Sequence, residues 1–396
     1  MQRQPDSMRH VAENGEFFMA KREVRVFNKA DDIKGSIDLI SDDSAFSYGW
    51  FKTLESFGRL PEPLYLAVNY DGATVGIAPC FIDKINDFIA WGPKIVPFLP
   101  RILNFGQRLG LFKRNVILCY SPASCRTKVL FANNYNNKTV LSLFSEKIDD
   151  ICKKQRVLFS SFLFVSEFDE LLMKNLESLN YIKFSNIVTY YLDVNWSSFE
   201  DYLKSLKPKR ARSIRREIRE CRESGVVIEE ESISEDIAEK LSTLEANVSS
   251  KYGYTNSKLD PSFFMKLRKY AKDNTRLLVA RKNNEVIGFT LLLQHKNVLD
   301  AYMCGLDYTA QSSVPFIYFN LVYYKPIQLA IDEKIKKIYY RYSSEKAKLN
   351  RGCRPEQTYS FVKCHNSILA PLMNDLLKNN IYSDVKSRFL CDNFKK

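Results

Sequence analysis

The chain has 396 residues, 45% of them hydrophobic, and a formal charge of +13 from 59 Lys and Arg against 46 Asp and Glu. That length supplies two domain-sized cores rather than one, and the charge points to a polyanionic partner such as RNA, a phosphate-rich cofactor or an anionic membrane surface. Three histidines, His10, His295 and His365, are too few and too scattered for a Ser/His/Asp hydrolase or a histidine-rich metal site; nine cysteines without a CxxC pair read as reduced thiols in a cytosolic protein, with no zinc site.

Residues 1–22 lack periodicity and read as a flexible tail, without the apolar stretch of a secretory signal. A first domain spans 23–195. Apolar spacing (Trp50, Phe51, Leu54) predicts a helix over 47–57, and strands over 63–69 and 74–82 flank the hairpin signal Tyr70-Asp71-Gly72. Residues 86–114 form an apolar, basic insertion, broken by Pro93, Pro97 and Pro100 and short of the roughly 20 residues that cross a bilayer. Its mix of Lys94, Arg101, Arg108, Lys113 and Arg114 with Trp91, Phe98, Phe105 and Phe112 suits a lipid headgroup zone. Packing on the first domain is the other reading. The expectation is a cytoplasmic protein, with peripheral contact at the inner membrane surface as the alternative that this stretch raises. A strand at 115–120, a helix near 141–153, a strand at 158–165, a helix over 167–179 and a strand at 187–194 follow, and there the first domain closes.

A second domain spans 196–396. A strand at 226–231, helices over 234–250 and 261–272, hairpin strands at 276–282 and 286–293 and a third strand at 298–306 come in turn. A helix at 315–332 and strands at 337–342 and 358–364 complete it. The hairpin texts, Leu64-Tyr-Leu-Ala-Val and Leu277-Leu-Val-Ala-Arg with their turns, read as weak copies of one another, so the chain is a tandem duplication.

Between Lys204 and Arg222 nine cations stand against Glu217 and Glu220. With Pro208 starting a helix, Arg212, Arg215, Arg216, Arg219 and Arg222 share one face while Ile214, Ile218 and Cys221 occupy another. Such a stripe holds phosphates by charge-assisted hydrogen bonds; a solvated face with Glu pairs is the plain alternative.

Three stretches resemble the Fem-type, FemAB-like acyltransferases, which carry two fused GNAT units: the basic segment from Phe199 to Glu217, the tyrosine-bearing segment Ile317 to Ile327, and Lys348-Leu-Asn-Arg351-Gly352 with the strand beyond it. The likeness covers about 196–366 well and the first half in outline. It implies an α/β fold of tandem GNAT-like domains, mixed central sheets flanked by helices, and N-acyl transfer of the peptidoglycan type. Two positions depart from such enzymes. The glycine-spaced loop that cradles coenzyme A pyrophosphate is here Gln311-Ser-Ser-Val314-Pro315-Phe316, and the acid two places before the lysine is Lys346.

An amine attacking a carbonyl must lose a proton, and the oxyanion needs a donor. Candidates are Asp307 or Glu345 as base, Lys348 and Arg351 as donors, and Tyr302 beside them. Arg210, Arg212, Arg215, Arg216 and Arg219 with Gln311, Ser312, Ser313 and Tyr324 would hold the donor, and the Tyr323-Tyr324 pair would line an acyl or base-stacking pocket. No permanently bound cofactor and no metal are expected. The donor is acyl-CoA or aminoacyl-tRNA, the acceptor an amine-bearing small molecule or peptide. A catalytically silent RNA-binding or membrane-surface protein is the competing class. The enzyme reading requires the arginine-rich stretch and the Arg351-Gly352-Cys353 segment to meet around one cleft.

Overall fold

The computed structural model describes residues 22–58, 60–84, 108, 110, 113–122, 124–132, 137–253, 259–311, 313–366 and 369–371. The tail and most of the insertion at 86–114 lie outside the described residues. The strands are β1 (Arg22–Phe27), β2 (Glu62–Tyr70), β3 (Ala73–Lys84), β4 (Lys113–Cys119), β5 (Leu130–Phe131), β6 (Val157–Ser166), β7 (Ile182–Asp193), β8 (Val227–Glu231), β9 (Thr275–Lys282), β10 (Glu285–His295), β11 (Val298–Leu306), β12 (Lys337–Tyr339) and β13 (Arg354–Cys364). The helices are α1 (Lys34–Ile40), α2 (Tyr48–Phe57), α3 (Asn137–Gln155), α4 (Glu170–Ser178), α5 (Phe199–Ser205), α6 (Pro208–Glu223), α7 (Glu235–Lys251), α8 (Pro261–Tyr270), α9 (Tyr308–Gln311), α10 (317–332) and α11 (Glu345–Leu349).

The thirteen strands among the described residues share one mixed sheet, ordered β1-β2-β3-β4-β6-β13-β7-β12-β11-β10-β9-β8, with β5 beside β3. Outward from the β13–β7 seam the order is a palindrome, and the strand senses match: β4–β6 and β11–β12 are the parallel pairs. The similar hairpins of the sequence, β2–β3 and β9–β10, occupy equivalent places on the two wings. The expected fold, paired GNAT-like units of mixed sheet flanked by helices, is therefore the fold adopted.

The first half does not close on its own strands. The last described strand, β13, lies between β6 and β7, and β7 turns its other edge to β12. Each half thus lends a strand to the other, and side chains knit the same seam: the Trp50 ring sits 4.8 Å from that of Tyr302, and the α2 backbone at Gly49 approaches Tyr270 of α8 so closely that a Cβ would lie 2.4 Å from its carbonyl oxygen.

Glycine is also required at Gly305 in β11. A Cβ there would meet the Phe289 ring at 2.2 Å and the α7 backbone at Leu244 and Glu245 at 2.7 and 2.8 Å. Backbone atoms cannot swing aside, so Gly305→Ala is expected to cost about 1–3 kcal/mol by overpacking, read as a lowered urea midpoint.

Candidate functional site

The two wings differ at one point that matters chemically. In the first, the parallel pair runs to the end of β4, with Cys119 opposite Phe162; beyond it Thr127 donates its N–H to the Phe164 carbonyl at 3.2 Å, which keeps the space filled. In the second, β11 and β12 pair over only three residues, ending at Asp300 opposite Tyr339. From Ala301 to Leu306 β11 continues along β10 alone, while the chain after β12 stays with β7 through Tyr340 N–H to Tyr190 O at 2.7 Å and Tyr190 N–H to Arg341 O at 3.2 Å. A wedge opens between them. Ala301, Tyr302, Met303 and Cys304 line its β11 side, all half-buried.

Local backbone explains the parting. The β10–β11 register jumps from Leu291 opposite Met303 to Leu292 opposite Ala301, leaving Tyr302 as a bulge that bends β11. Opposite it, Arg341, Ser343 and Ser344 all have positive φ (39°, 73° and 52°). This ends β12 at Tyr339 rather than at 342, because side-chain-bearing residues in the left-handed region cannot extend a strand. Such strain clusters at functional sites.

Lys348 follows at once on α11, and Arg351 stands two residues past the end of that helix. The helix is closed by Gly352 at φ 81°, with Cys353 N–H bonding back to Lys348 O at 3.1 Å and Gly352 N–H to Leu349 O at 3.2 Å, a helix stop that glycine favours. Lys348 is buried at 4% exposure. Its Nζ donates to Arg341 O and Tyr342 O, both at 2.8 Å, and lies 4.9 Å from the centre of the Tyr190 ring. Burial lowers its pKa to about 7, so near neutrality both the ammonium and the neutral amine are populated.

Arg351 points into the interior, where its Nη2 meets Glu217 Oε2 at 2.9 Å and the Tyr324 hydroxyl at 2.7 Å; Tyr324 also donates to Glu217 Oε2. Its Nη1 donates to Ala347 O at 2.9 Å and its guanidinium lies 3.8 Å over the Phe319 ring. Asn320 Nδ2 donates to the Glu217 carbonyl at 3.1 Å. Residues 320–324 form a π-helical stretch within α10, a distortion that recurs at functional sites. The arginine-rich helix α6 and the Arg351 segment therefore touch through the buried carboxylate of Glu217, a packing contact inside the core and not the shared cleft that was expected, while the arginines themselves face outward.

Other predicted residues stand elsewhere. Arg210, Arg212, Arg215, Arg216 and Arg219 are exposed. Surface pairs link Arg215 to Glu200, Arg216 to Glu220 at 3.7 Å and Arg219 to Glu223 at 3.9 Å; pairs like these contribute about 0–1 kcal/mol and yield readily to a phosphate. Arg216 lies 5.7 Å from the centre of the Phe316 ring, which puts the basic face beside the loop after α9. In that loop Lys282 Nζ lies 3.3 Å from the Ser313 carbonyl; Ser312 and the side chain of Gln311 lie outside the described residues. Asp307 accepts from Thr309 N–H at 2.9 Å, the Thr309 hydroxyl at 2.6 Å and Ala310 N–H at 3.3 Å. The Thr309 hydroxyl in particular holds its carboxyl below the usual range, so it caps a turn and makes a poor base. Glu345 is exposed at the head of α11. The Tyr302 ring is covered by Arg341 at 4.3 Å, and burial pushes its phenol up to about 12.

The aromatic pocket needs correction: Tyr323 and Tyr324 are 1% and 3% exposed and belong to the core, so they do not line a binding surface. Burial holds the thiols of Cys304 and Cys353 up at about 12, unsuited to nucleophilic attack at neutral pH.

A protein-family model, FemAB_like, described as peptidoglycan biosynthesis/recognition, matches residues 113–387. This chain belongs to the FemAB-like family. Among solved structures, FemX superposes with a TM-score of 0.59 at 12% identity, over 88% of this chain and 99% of that one. A conserved protein of unknown function from Bacteroides thetaiotaomicron gives 0.55 at 14% identity, over 86% and 100%. The C-terminal domain of a putative lysylphosphatidylglycerol synthetase from Agrobacterium fabrum gives 0.51 at 9%, over 90% and 98%. These likenesses concern the fold. No curated protein matches the sequence.

Two features of this FemAB-like chain escaped the sequence reading. Glu217 was legible: it lies three residues after Ile214 and four before Cys221, on the apolar stripe of α6, and an acid there demands a buried partner. A second buried cluster was not, since its members come from distant segments. Arg126 Nη2 bonds Asp43 at 3.1 Å and Asp300 at 2.8 Å, a partner 174 residues away.

Proposed function

We propose that this chain is an N-acyltransferase that moves an acyl or aminoacyl group from a phosphorylated donor, acyl-CoA or aminoacyl-tRNA, to an amine, with the chemistry in residues 196–396 and the first unit, 23–195, as its support. The observation that carries this reading is the wedge where β11 parts from the chain after β12, a place that Thr127 bridges in the first wing and that the Arg341 side chain lines in the second. A carbonyl placed in it faces the unpaired side of β11, where backbone N–H groups can stabilise an oxyanion. The acceptor nitrogen forms the new C–N bond, the proton lost from nitrogen passes to neutral Lys348, directly or through water, and as the C–S or C–O bond to the donor breaks that proton is returned to the departing coenzyme A sulfur or tRNA ribose oxygen. Positioning does much of the remaining work. Arg351 is assigned to docking α6 rather than to substrate.

The exposed arginines of α6 are assigned to the donor's phosphates. Changing Arg212, Arg216 and Arg219 together to Glu is expected to weaken binding of charged tRNA or acyl-CoA at least about tenfold at low salt while the melting temperature holds. The difference should shrink near 1 M salt, where screening acts within about 3 Å. The deciding experiment incubates the purified chain with a panel of acyl-CoAs and charged tRNAs and follows transfer to amines by mass spectrometry. Consumption of none of them removes the enzyme reading; salt-sensitive binding without turnover then supports a silent polyanion-binding protein, which the exposed face of α6 also suits.

A further inference from the structure

At the seam of the two halves lies a second concentration of charge. Arg126, from the loop after β4, bonds Asp43 and Asp300 through Nη2 alone and lies 4.2 Å over the Tyr339 ring. Arg341, from the strained loop after β12, covers Tyr302 and has its Nε 3.6 Å from Asp300 Oδ1, too far for a hydrogen bond. Nε and Nη1 of Arg126, and Nε and Nη2 of Arg341, are buried without a hydrogen-bond partner. Leaving such a donor unmatched costs about 1–3 kcal/mol, more when it is charged, and four of them meet here, contributed by both halves of the chain. The Arg126 and Arg341 side chains are only 11% and 19% exposed, which suits a small planar anion and not a nucleic-acid backbone. Three buried carboxylates, Asp43, Asp300 and Glu356, face three cations, Arg126, Arg341 and neighbouring Lys348, so what the cluster offers a ligand is its unmatched N–H donors.

We propose that Arg126 and Arg341 form a carboxylate-binding subsite, which seats the acidic group of an amino-acid or peptide acceptor where the β11–β12 wedge begins. This rests on the acyl-transfer reading and deepens it by naming the acceptor's class. The Nε and Nη2 edge of Arg341 fits a carboxylate in paired, parallel hydrogen bonds, which an ammonium or an amide cannot reproduce, and Arg126, whose Nη2 is held by the two aspartates, adds single bonds from Nε or Nη1. Tyr302 connects the two places, since its ring lies under Arg341 while its backbone forms the bulge that opens the wedge.

The test is calorimetric titration of the full chain, without donor, using free α-amino acids and dipeptides, each beside its C-terminal carboxamide, and inorganic phosphate. At least one carboxylate is expected to bind tenfold or more tightly than its carboxamide. Arg341→Gln should abolish that preference and Arg341→Lys retain part of it. Because Arg126 holds two buried aspartates, Arg126→Lys is the variant to use there, with its melting curve recorded, and it too should reduce the preference. Equal binding of carboxamides, no binding of any carboxylate, equal competition by phosphate, or a preference that survives Arg341→Gln would each overturn the assignment. Binding and turnover separate the two proposals: carboxylate preference without donor consumption sinks only the transferase reading, and transfer to carboxamides as fast as to acids sinks only the subsite.

Discussion

Replacing Lys348 by Met is expected to lower the rate of acyl transfer by about 10²- to 10⁴-fold, the range usual for loss of a positioned proton acceptor, and to remove a limb of the pH–rate profile centred near pH 7. The wild-type rate should climb through that limb as pH rises, because burial has brought the Lys348 pKa down to about 7 and only the neutral amine accepts a proton. Stability supplies a second readout. Between about pH 7 and the ordinary lysine value near 10.4, the unfolded chain binds a proton at this position that the folded chain has released. Stability due to Lys348 therefore rises with pH across that window and is lost as pH falls toward 7. Lys348→Met should flatten this slope while still folding: the methionine forfeits two hydrogen bonds to Arg341 and Tyr342 but ends the burial of a charge. An unchanged pH–rate profile in the variant would remove Lys348 from the chemistry.

Glu217→Ala should cost about 3–5 kcal/mol in urea unfolding, since it leaves the Arg351 guanidinium buried without its counter-charge. The Glu217 and Arg351 side chains are only 11% and 6% exposed, so water cannot take over. Arg351→Met should also destabilise, and the double variant should fall short of the summed costs by about 1–3 kcal/mol, as expected for groups in direct contact. The functional consequence is distinctive: a loosened α6 should raise the apparent donor KM more than it lowers kcat. If Glu217→Ala instead leaves stability intact and abolishes turnover, Arg351 belongs with the substrate and not with the helix dock.

Much of this architecture was legible because it is local. The hairpins at β2–β3 and β9–β10 announce themselves through alternation and turn residues, and their likeness anticipates the palindromic sheet. Helices α6, α7 and α8 follow from apolar periodicity, with Pro208 marking the start of α6. Strand β12 was read three residues too long, since nothing local marks Arg341 as left-handed. The short α11 went unread because five residues show no helical period, although Gly352 as its stop is visible afterwards.

By itself the sequence determined the two-fold repetition of elements, the basic face of α6 and the family, all properties of residues close together along the chain or of their order. Tertiary structure alone decided that β13 enters the sheet between β6 and β7, that Glu217 holds Arg351, and that Arg126 and Arg341 converge on Asp300. Those pairings join residues that are separated by as many as 205 positions, as Phe159 of β6 and Cys364 of β13 are. The entropy of closing such long loops is met only when many contacts form at once, so no single segment carries their signature.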